Sequence, residues 1–217
     1  MLPNRFLTTL LLWTTFFLAT ASLKLAAGPL TPDVRASSSA NGQFLVLVEH
    51  EYDNPDPHAV RRILRTTYRV MESVPFLNNQ DRLNTPAHFW SEYSPSWEVI
   101  LDYKDDHVLF WPLVSNDGQS LILIGVTAAV PKITVMKLCR KVSYGGTLVR
   151  NFQITDLWTA KQIDPDGKGP LMIRENTPHW FSGGSMTFSS DNQNLIYRTQ
   201  FGDQLNIHLV DGAVSRE

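Results

Sequence analysis

Short runs of apolar and β-branched residues, separated by Gly, Asn, Asp and Pro, dominate the chain from about residue 40 onward. Several runs alternate apolar and polar positions with period two, as in the segments YRVME and LNIHLV. Because side chains alternate between the two faces of a strand, this period predicts half-buried β-strands. Ten strands are predicted, at residues 44–51, 66–72, 97–103, 107–114, 120–126, 133–138, 147–155, 185–189, 194–199 and 205–210.

Helix signals are weak by comparison. The segment from Asp56-Pro57 to residue 69 has the start of a short helix, and Thr155 or Asp156 can cap another in TDLWTAKQI. Neither segment is long enough to organise a fold. The pattern therefore predicts a mostly β protein built from antiparallel sheets.

One turn motif recurs three times. Its pattern is Ser, any residue, Asn or Asp, Gly or Asn, Gln, any residue, Leu and a β-branched residue, and its turn positions are 76 and then 74 residues apart. Gly and Asn tolerate the positive φ of a tight hairpin, and the Ser and Asp side chains can bond the turn's own amides. The spacing leaves room for about four strands per unit, the number in a propeller blade. The aligned segments are residues 39–46, 115–122 and 189–196.

The Ser-x-Asp-Gly-x-x-Leu hairpin resembles that of TolB-type and WD-like β-propeller repeats, although it lacks their usual proline. From residue 39 onward the chain also resembles a group of uncharacterised exported bacterial proteins. The shared features are the first two hairpins, the segment GTLVRNFQITDL at 146–157, the aromatic group His179-Trp180-Phe181 and a closing stretch at 188–212. The resemblance implies blade-like structure and brings no catalytic residue with it.

The repeats predict one β-rich domain at residues 39–217, made of three blade-like units. A propeller ring has four to eight blades, so three units predict an open or incomplete propeller. A β-sandwich or barrel is the alternative architecture.

The N-terminal residues predict export. Arg5 precedes an apolar, threonine-containing stretch that ends in Ala19-Thr20-Ala21, the order of a secretory signal peptide. Residues 1–21 are therefore predicted to be a cleaved signal helix and residues 22–38 a linker. The 16 residues from 6 to 21 are short for a membrane span of about 20 residues, so a membrane-anchored envelope protein with an uncleaved segment is the alternative.

Charge and cysteine content argue against a nucleic-acid-binding protein and against a fold held by disulfides. The chain has 19 basic and 21 acidic residues, and loss of Arg5 with the signal peptide changes the balance to 18 against 21. No basic run suits nucleic acid. Cys139 is the single cysteine, so no internal disulfide can form. Its strand-like surroundings predict a buried thiol, with a reactive thiol beside Lys137 and Arg140 as the alternative.

The densest set of potential metal ligands lies in EHEYDNPDPH, where His50, Asp53 and His58 are the candidates. The segment has neither H-E-x-x-H spacing nor an EF-hand pattern, so no metal site and no cofactor are assigned. Asn116-Asp117-Gly118 lacks oxygen ligands at the first and last positions of a calcium loop, and Asp164–Gly169 (DPDGKG) is predicted to be a plain turn.

Two groups of residues suggest hydrolytic chemistry. His179 lies near Ser182 and Ser185, but the segment is not a G-x-S-x-G elbow. Asp105, Asp106 and His107 lie in a segment predicted to be a hairpin turn. No catalytic residue is assigned, and a secreted hydrolase with a site on loops 50–58, 104–107 or 179–185 remains the alternative function.

The aromatic residues indicate a binding function. Trp90, Tyr93, Trp97 and Trp180 are candidates for an aromatic platform that binds a protein or a glycan, with packing of the same rings in the core as the alternative. The sequence therefore predicts an exported, non-catalytic binding module.

Overall fold

The computed structural model describes residues 34–54, 62–73, 95–102, 109–125, 132–171 and 180–217. Within these residues the protein is mostly β, as predicted, with twelve strands and two helices of one turn each. The strands are β1 (Val34–Ser38), β2 (Phe44–Tyr52), β3 (Ile63–Glu72), β4 (Trp97–Asp102), β5 (Phe110–Val114), β6 (Ser120–Gly125), β7 (Thr134–Val142), β8 (Gly145–Gln153), β9 (Ser185–Phe188), β10 (Asn194–Arg198), β11 (Gln204–His208) and β12 (Val214–Arg216). The helices are α1 (Ile154–Leu157) and α2 (Ala160–Ile163).

The strands form three antiparallel units of four strands each, in which every strand pairs with its neighbours in sequence. We name β1–β4 the first unit, β5–β8 the second unit and β9–β12 the third unit. One parallel pairing, between Glu98 and Gly145, joins the first two units into an eight-stranded sheet. Its end strands, β1 and β5, contact each other, so this sheet is nearly closed and barrel-like, which fits the alternative prediction of a β-sandwich or barrel.

The second unit lies between the other two, and its strand β6 is buried on both faces. All six residues of β6 are buried. Leu121 and Leu123 face a core shared with Val46 and Val48 of the first unit. The alternating Ile122 and Ile124 face a second core, which the third unit completes. A strand covered on both faces loses the apolar–polar alternation, which explains the continuous run SLILIG.

The third unit ends the series with a polar face. Leu195 and Tyr197 of β10 are buried toward the second unit. On the opposite face, Gln204 accepts a hydrogen bond from Arg198 Nε at 3.2 Å and donates one to Glu217 at 2.6 Å. Asn206 also donates to Glu217, at 2.6 Å. These side chains hydrogen-bond one another along a solvent-facing sheet.

Two predictions about the chain's organisation were wrong. Residues 34–38, assigned to the linker, form β1, which pairs antiparallel with β2 although VRASS has no apolar run of the kind that marks the other strands. The short terminal strand β12 was also missed. The helix start predicted at Asp56-Pro57 lies outside the described residues, and the strand predicted at residues 66–72 is confirmed within β3.

The predicted hairpin at residues 104–107 is also wrong. The strands before and after it, β4 and β5, belong to different units and do not pair. The chain between them connects two units, although residues 103–108 themselves lie outside the described part.

Candidate functional site

The three repeated turns use their polar side chains internally. In the first turn, Ser39 Oγ donates to Asn41 Oδ1 at 2.7 Å and accepts from the amide of Phe44 at 3.0 Å. Asp117 and Asp191 accept the corresponding bonds from Ser115 and Ser189. The residues that follow have positive φ: 70° at Gly42, 66° at Gly118 and 54° at Asn192. These groups therefore hold the turns in shape.

The same turns connect the three units. Asn41 donates from its backbone amide to Asn116 Oδ1 and from its side chain to the Asn116 carbonyl, both at 3.1 Å. Asn116 in turn donates from its amide to Asn192 Oδ1 at 3.2 Å. Asn192, which replaces the glycine of the motif, supplies the oxygen that joins the third turn to the second.

Trp97 and Trp180 also join units, from within the core. Each ring is at most 1% exposed. Trp97 Nε1 donates to the carbonyl of Gly118 at 2.7 Å, and Trp180 Nε1 donates to that of Gly125 at 2.9 Å. Neither ring can belong to a solvent-facing platform, so for these two residues packing in the core is the correct alternative. Trp90 and Tyr93 lie outside the described residues.

A cleft of about 300 Å³ lies between the first and second units. Its walls come from strands β1 and β2 on one side and from β5 and the residue before it on the other. Trp111, half exposed, is the one lining residue with a large open aromatic surface among those described. The lining residues are Ser37, Val48, His50, Leu109, Phe110, Trp111 and Pro112.

His50 is the polar centre of this cleft. Its Nδ1 lies 2.7 Å from Thr66 Oγ1 on the neighbouring strand β3, and Thr66 is fully buried. The edge of the His50 ring also packs against Tyr52, with 6.1 Å between ring centroids. Thr66 and Tyr52 of the first unit therefore orient the imidazole, which suits a group that fixes the orientation of a ligand.

The other metal candidates do not join His50 in the described structure. Asp53 accepts a hydrogen bond from the amide of Arg62 at 2.8 Å and so supports the base of the loop between β2 and β3. His58 lies outside the described residues. Within the described ranges, no three His, Cys, Asp or Glu side chains come together as a metal-binding group.

The two hydrolytic groups are only partly described. Ser182 and Ser185 are exposed and belong to the third unit, whereas the cleft lies between the first two. His179 and residues 104–107 lie outside the described residues. The structure therefore brings neither serine into the cleft, and of the loops considered for hydrolysis only His50 of loop 50–58 lines it.

Cys139 is fully buried in the core between the first two units. Burial raises the pKa of its thiol to about 12, against a smaller opposing effect of Lys137. The prediction of a buried thiol is confirmed, and the reactive alternative is wrong. The predicted plain turn at residues 164–169 is also confirmed, because Asp164 accepts from the amide of Gly169 at 3.1 Å.

Sequence reasoning missed most of the cleft. Ser37 was placed in a linker, and Phe110, Trp111 and Pro112 were assigned only to a strand. A usable signal lay in FWPLV, where Pro marks an edge strand and Trp alternates with buried Phe110. An exposed Trp on an edge strand indicates a binding surface.

Comparison with known proteins places the chain in no established family. No family model matches its sequence, and no curated protein matches it. In the part of the chain that the structure describes, no helix combines the length and apolar character needed to cross a membrane.

Proposed function

We propose that this protein is an exported, non-catalytic binding module whose partner, a protein or a glycan, occupies the cleft between the first two units. The observation that carries the proposal is the cleft itself, which combines an apolar wall, a half-exposed Trp111 and an oriented His50. Binding sites are concave, mostly apolar and supplied with a few placed polar groups. The proposal includes neither a cofactor nor nucleic acid as partner.

The position of the cleft supports binding because its walls are held by two units that pack against each other within one sheet. Below it, Tyr68 and Trp97 of the first unit donate to the carbonyls of Phe110 and Gly118 in the second, at 3.4 and 2.7 Å. Both donors are fully buried. A site on rigid strands keeps its shape before the ligand arrives, which lowers the entropic cost of binding.

We further propose that the three units are propeller-blade-like repeats arranged as an open stack. Each has four antiparallel strands, and in each the repeated turn joins the first two strands. The polar outer face of the third unit supports an open arrangement, because terminal repeats of a stack need a soluble outer face.

The cleft proposal is tested by filling the cleft. The purified protein is screened on peptide and glycan arrays beside two variants, Ser37→Trp and Thr187→Trp. Ser37 lies on β1 and lines the cleft, whereas Thr187 is an exposed hydroxyl residue on β9, the first strand of the third unit. Loss of binding in Ser37→Trp alone supports the proposal, and equal binding by all three proteins contradicts it.

Export through a cleaved signal peptide is a separate part of the proposal. N-terminal sequencing of the protein recovered outside the cytoplasm is expected to begin after Ala21. A chain that retains Met1 and remains in the membrane fraction favours the anchored alternative.

A further inference from the structure

We propose that Asn41 undergoes spontaneous deamidation at its bond to Gly42, and that the reaction removes the hydrogen bonds by which the first turn is joined to the second. The modification does not depend on what the cleft binds.

Asn41 is the one asparagine in the sequence that is followed by glycine. In the reaction, the backbone nitrogen of Gly42 attacks the side-chain carbonyl carbon (Cγ) of Asn41 and forms a new C–N bond. The C–N bond to the side-chain amide then breaks, and that nitrogen leaves as ammonia with the proton of the Gly42 amide. Water opens the resulting five-membered succinimide at one of its two carbonyls, which gives aspartate or isoaspartate. Glycine favours the attack because no side chain blocks its backbone nitrogen.

The first turn presents this bond in a reactive arrangement. Asn41 and Gly42 are both exposed, and a Cβ on Gly42 would meet nothing within 4 Å, so the reacting groups and water have room. Asn41 Oδ1 accepts from Ser39 Oγ at 2.7 Å and from the amide of Gln43 at 3.1 Å. The bond to Gln43 folds the side chain back over the Gly42 nitrogen. Two donors on Oδ1 also stabilise the negative charge that forms there during the attack.

One hydrogen bond opposes the reaction. The amide of Gly42 donates to the carbonyl of Ser39 at 3.0 Å, so the nitrogen must leave this bond before it attacks. We therefore expect slow conversion in the folded protein, at a rate limited by local opening of the turn.

Deamidation removes the donor that joins the two turns. Asn41 Nδ2 donates to the carbonyl of Asn116 and to Gln43 Oε1, both at 3.1 Å. A carboxylate only accepts hydrogen bonds, so it would bring a negative oxygen against two acceptors. The repulsion also moves the backbone amide of residue 41 away from Asn116 Oδ1, to which it donates at 3.1 Å. Isoaspartate lengthens the backbone by one methylene, which shifts this amide further.

The turn itself tolerates a carboxylate at this position. Asp117 and Asp191 occupy the equivalent positions in the other two turns and accept from Ser115 and Ser189. Conversion of Asn41 therefore breaks the link between the turns while the first turn keeps its own shape. The two linked turns follow β1 and β5, the strands that border the cleft, so the link holds these strands together at one end.

The site is tested by incubating the folded protein at mildly alkaline pH beside Gly42→Asn. Asparagine at position 42 matches Asn192 of the third turn, which has positive φ, but its side chain hinders attack by the backbone nitrogen. Peptide mapping by mass spectrometry detects the exchange of NH2 for OH, and chromatography separates isoaspartate from aspartate. We expect residue 41 of the wild-type protein to convert before Asn116 and every other asparagine, and to convert more slowly in Gly42→Asn.

A free peptide of residues 37–45 sets the time scale. A residue 41 that is still unmodified in the folded protein when this peptide has fully converted overturns the site. Equal conversion in the wild type and in Gly42→Asn also overturns it.

The loss of the link is tested with Asn41→Asp, one of the two products. We expect its urea midpoint to fall below that of the wild type, whereas Gly42→Asn stays close to it. Hydrogen exchange followed by NMR separates the link from the turn. The amide of residue 41 is expected to exchange faster in Asn41→Asp, and the amide of Phe44, which donates to Ser39 Oγ at 3.0 Å, at its wild-type rate. An unchanged midpoint together with an unchanged rate at residue 41 overturns the loss of the link. Faster exchange at Phe44 also contradicts it, because the turn itself would then have opened.

Discussion

At the scale of single residues, equivalent positions in the three turns have different surroundings. Gly42 and Gly118 have nearly the same positive φ, 70° and 66°. A Cβ on Gly42 would meet nothing within 4 Å, whereas a Cβ on Gly118 would lie 2.5 Å from the ring of Phe44. The first turn therefore requires only a residue that tolerates positive φ. The second turn requires glycine, because its residue must tolerate positive φ and must also leave room for the Phe44 ring.

This difference predicts the outcome of two matched substitutions. Gly118→Asn tolerates positive φ but forces Phe44 aside, so we expect a loss of about 1–3 kcal/mol in the free energy of unfolding. Gly42→Asn, the control, is expected to change it by less than about 0.5 kcal/mol. Urea denaturation measures both, and similar losses in the two variants would contradict the Phe44 contact. Gly118→Val also adds backbone strain, so we expect it to reduce folding more strongly than it reduces binding by the protein that does fold.

The turn carboxylates predict how stability depends on acid. Hydrogen bonds from Ser189 and the amide of Gln193 lower the pKa of Asp191, and bonds from the amide of Ala213 and from His208 lower that of Asp211. Because both pKa values fall on folding, the unfolded chain binds more protons below about pH 4. The stabilisation is present above the unfolded pKa and is lost as the pH falls through the folded pKa.

We therefore expect Asp191→Asn to flatten the loss of stability between about pH 4 and pH 2. Asn41 occupies the equivalent position in the first turn and accepts the same bond from serine, so the variant keeps the turn. Urea midpoints measured across this pH range compare the variant with the wild type. Parallel curves would show that Asp191 does not contribute to the acid dependence.

At the scale of elements, buried indoles tie each unit to its neighbour. Trp97→Phe and Trp180→Phe each remove a donor to a carbonyl, of Gly118 and Gly125 respectively, and leave space in the core. We expect each to cost about 2–4 kcal/mol. Trp111→Phe, at a half-exposed position, is the control and is expected to cost less than about 1 kcal/mol. Equal, small losses in all three would contradict the role of the buried indoles.

The sequence predicted elements well where side chains decide them. Short apolar and β-branched runs, several of them alternating with period two, located ten strands, and the Ser-x-Asx-Gly/Asn pattern located the turns, because both signals come from local chemistry. β1 and β12 were missed because backbone pairing holds them and their side chains carry little pattern. The cleft could not be predicted, since it depends on how β1 of one unit approaches β5 of the next.

At the scale of the whole molecule, the second unit packs against both of the other units. It contributes to both large cores, so neither neighbour can lose it without exposing apolar residues. Leu123→Ala on the face toward the first unit and Ile122→Ala on the face toward the third are each expected to cost about 2–5 kcal/mol. Each variant is expected to unfold in one transition, as monitored by circular dichroism and by Trp fluorescence. Separate transitions for the two probes would instead show independent units.

Backbone NMR tests directly whether a ligand binds between the first two units. The assigned ¹H–¹⁵N spectrum is recorded as the protein is titrated with the strongest binder from the peptide and glycan arrays. We expect the largest shifts at Ser37, Val48, His50 and residues 109–111, with the signals of the third unit unchanged. Shift changes concentrated on the third unit, with the signals of the cleft residues unchanged, would contradict binding in the cleft.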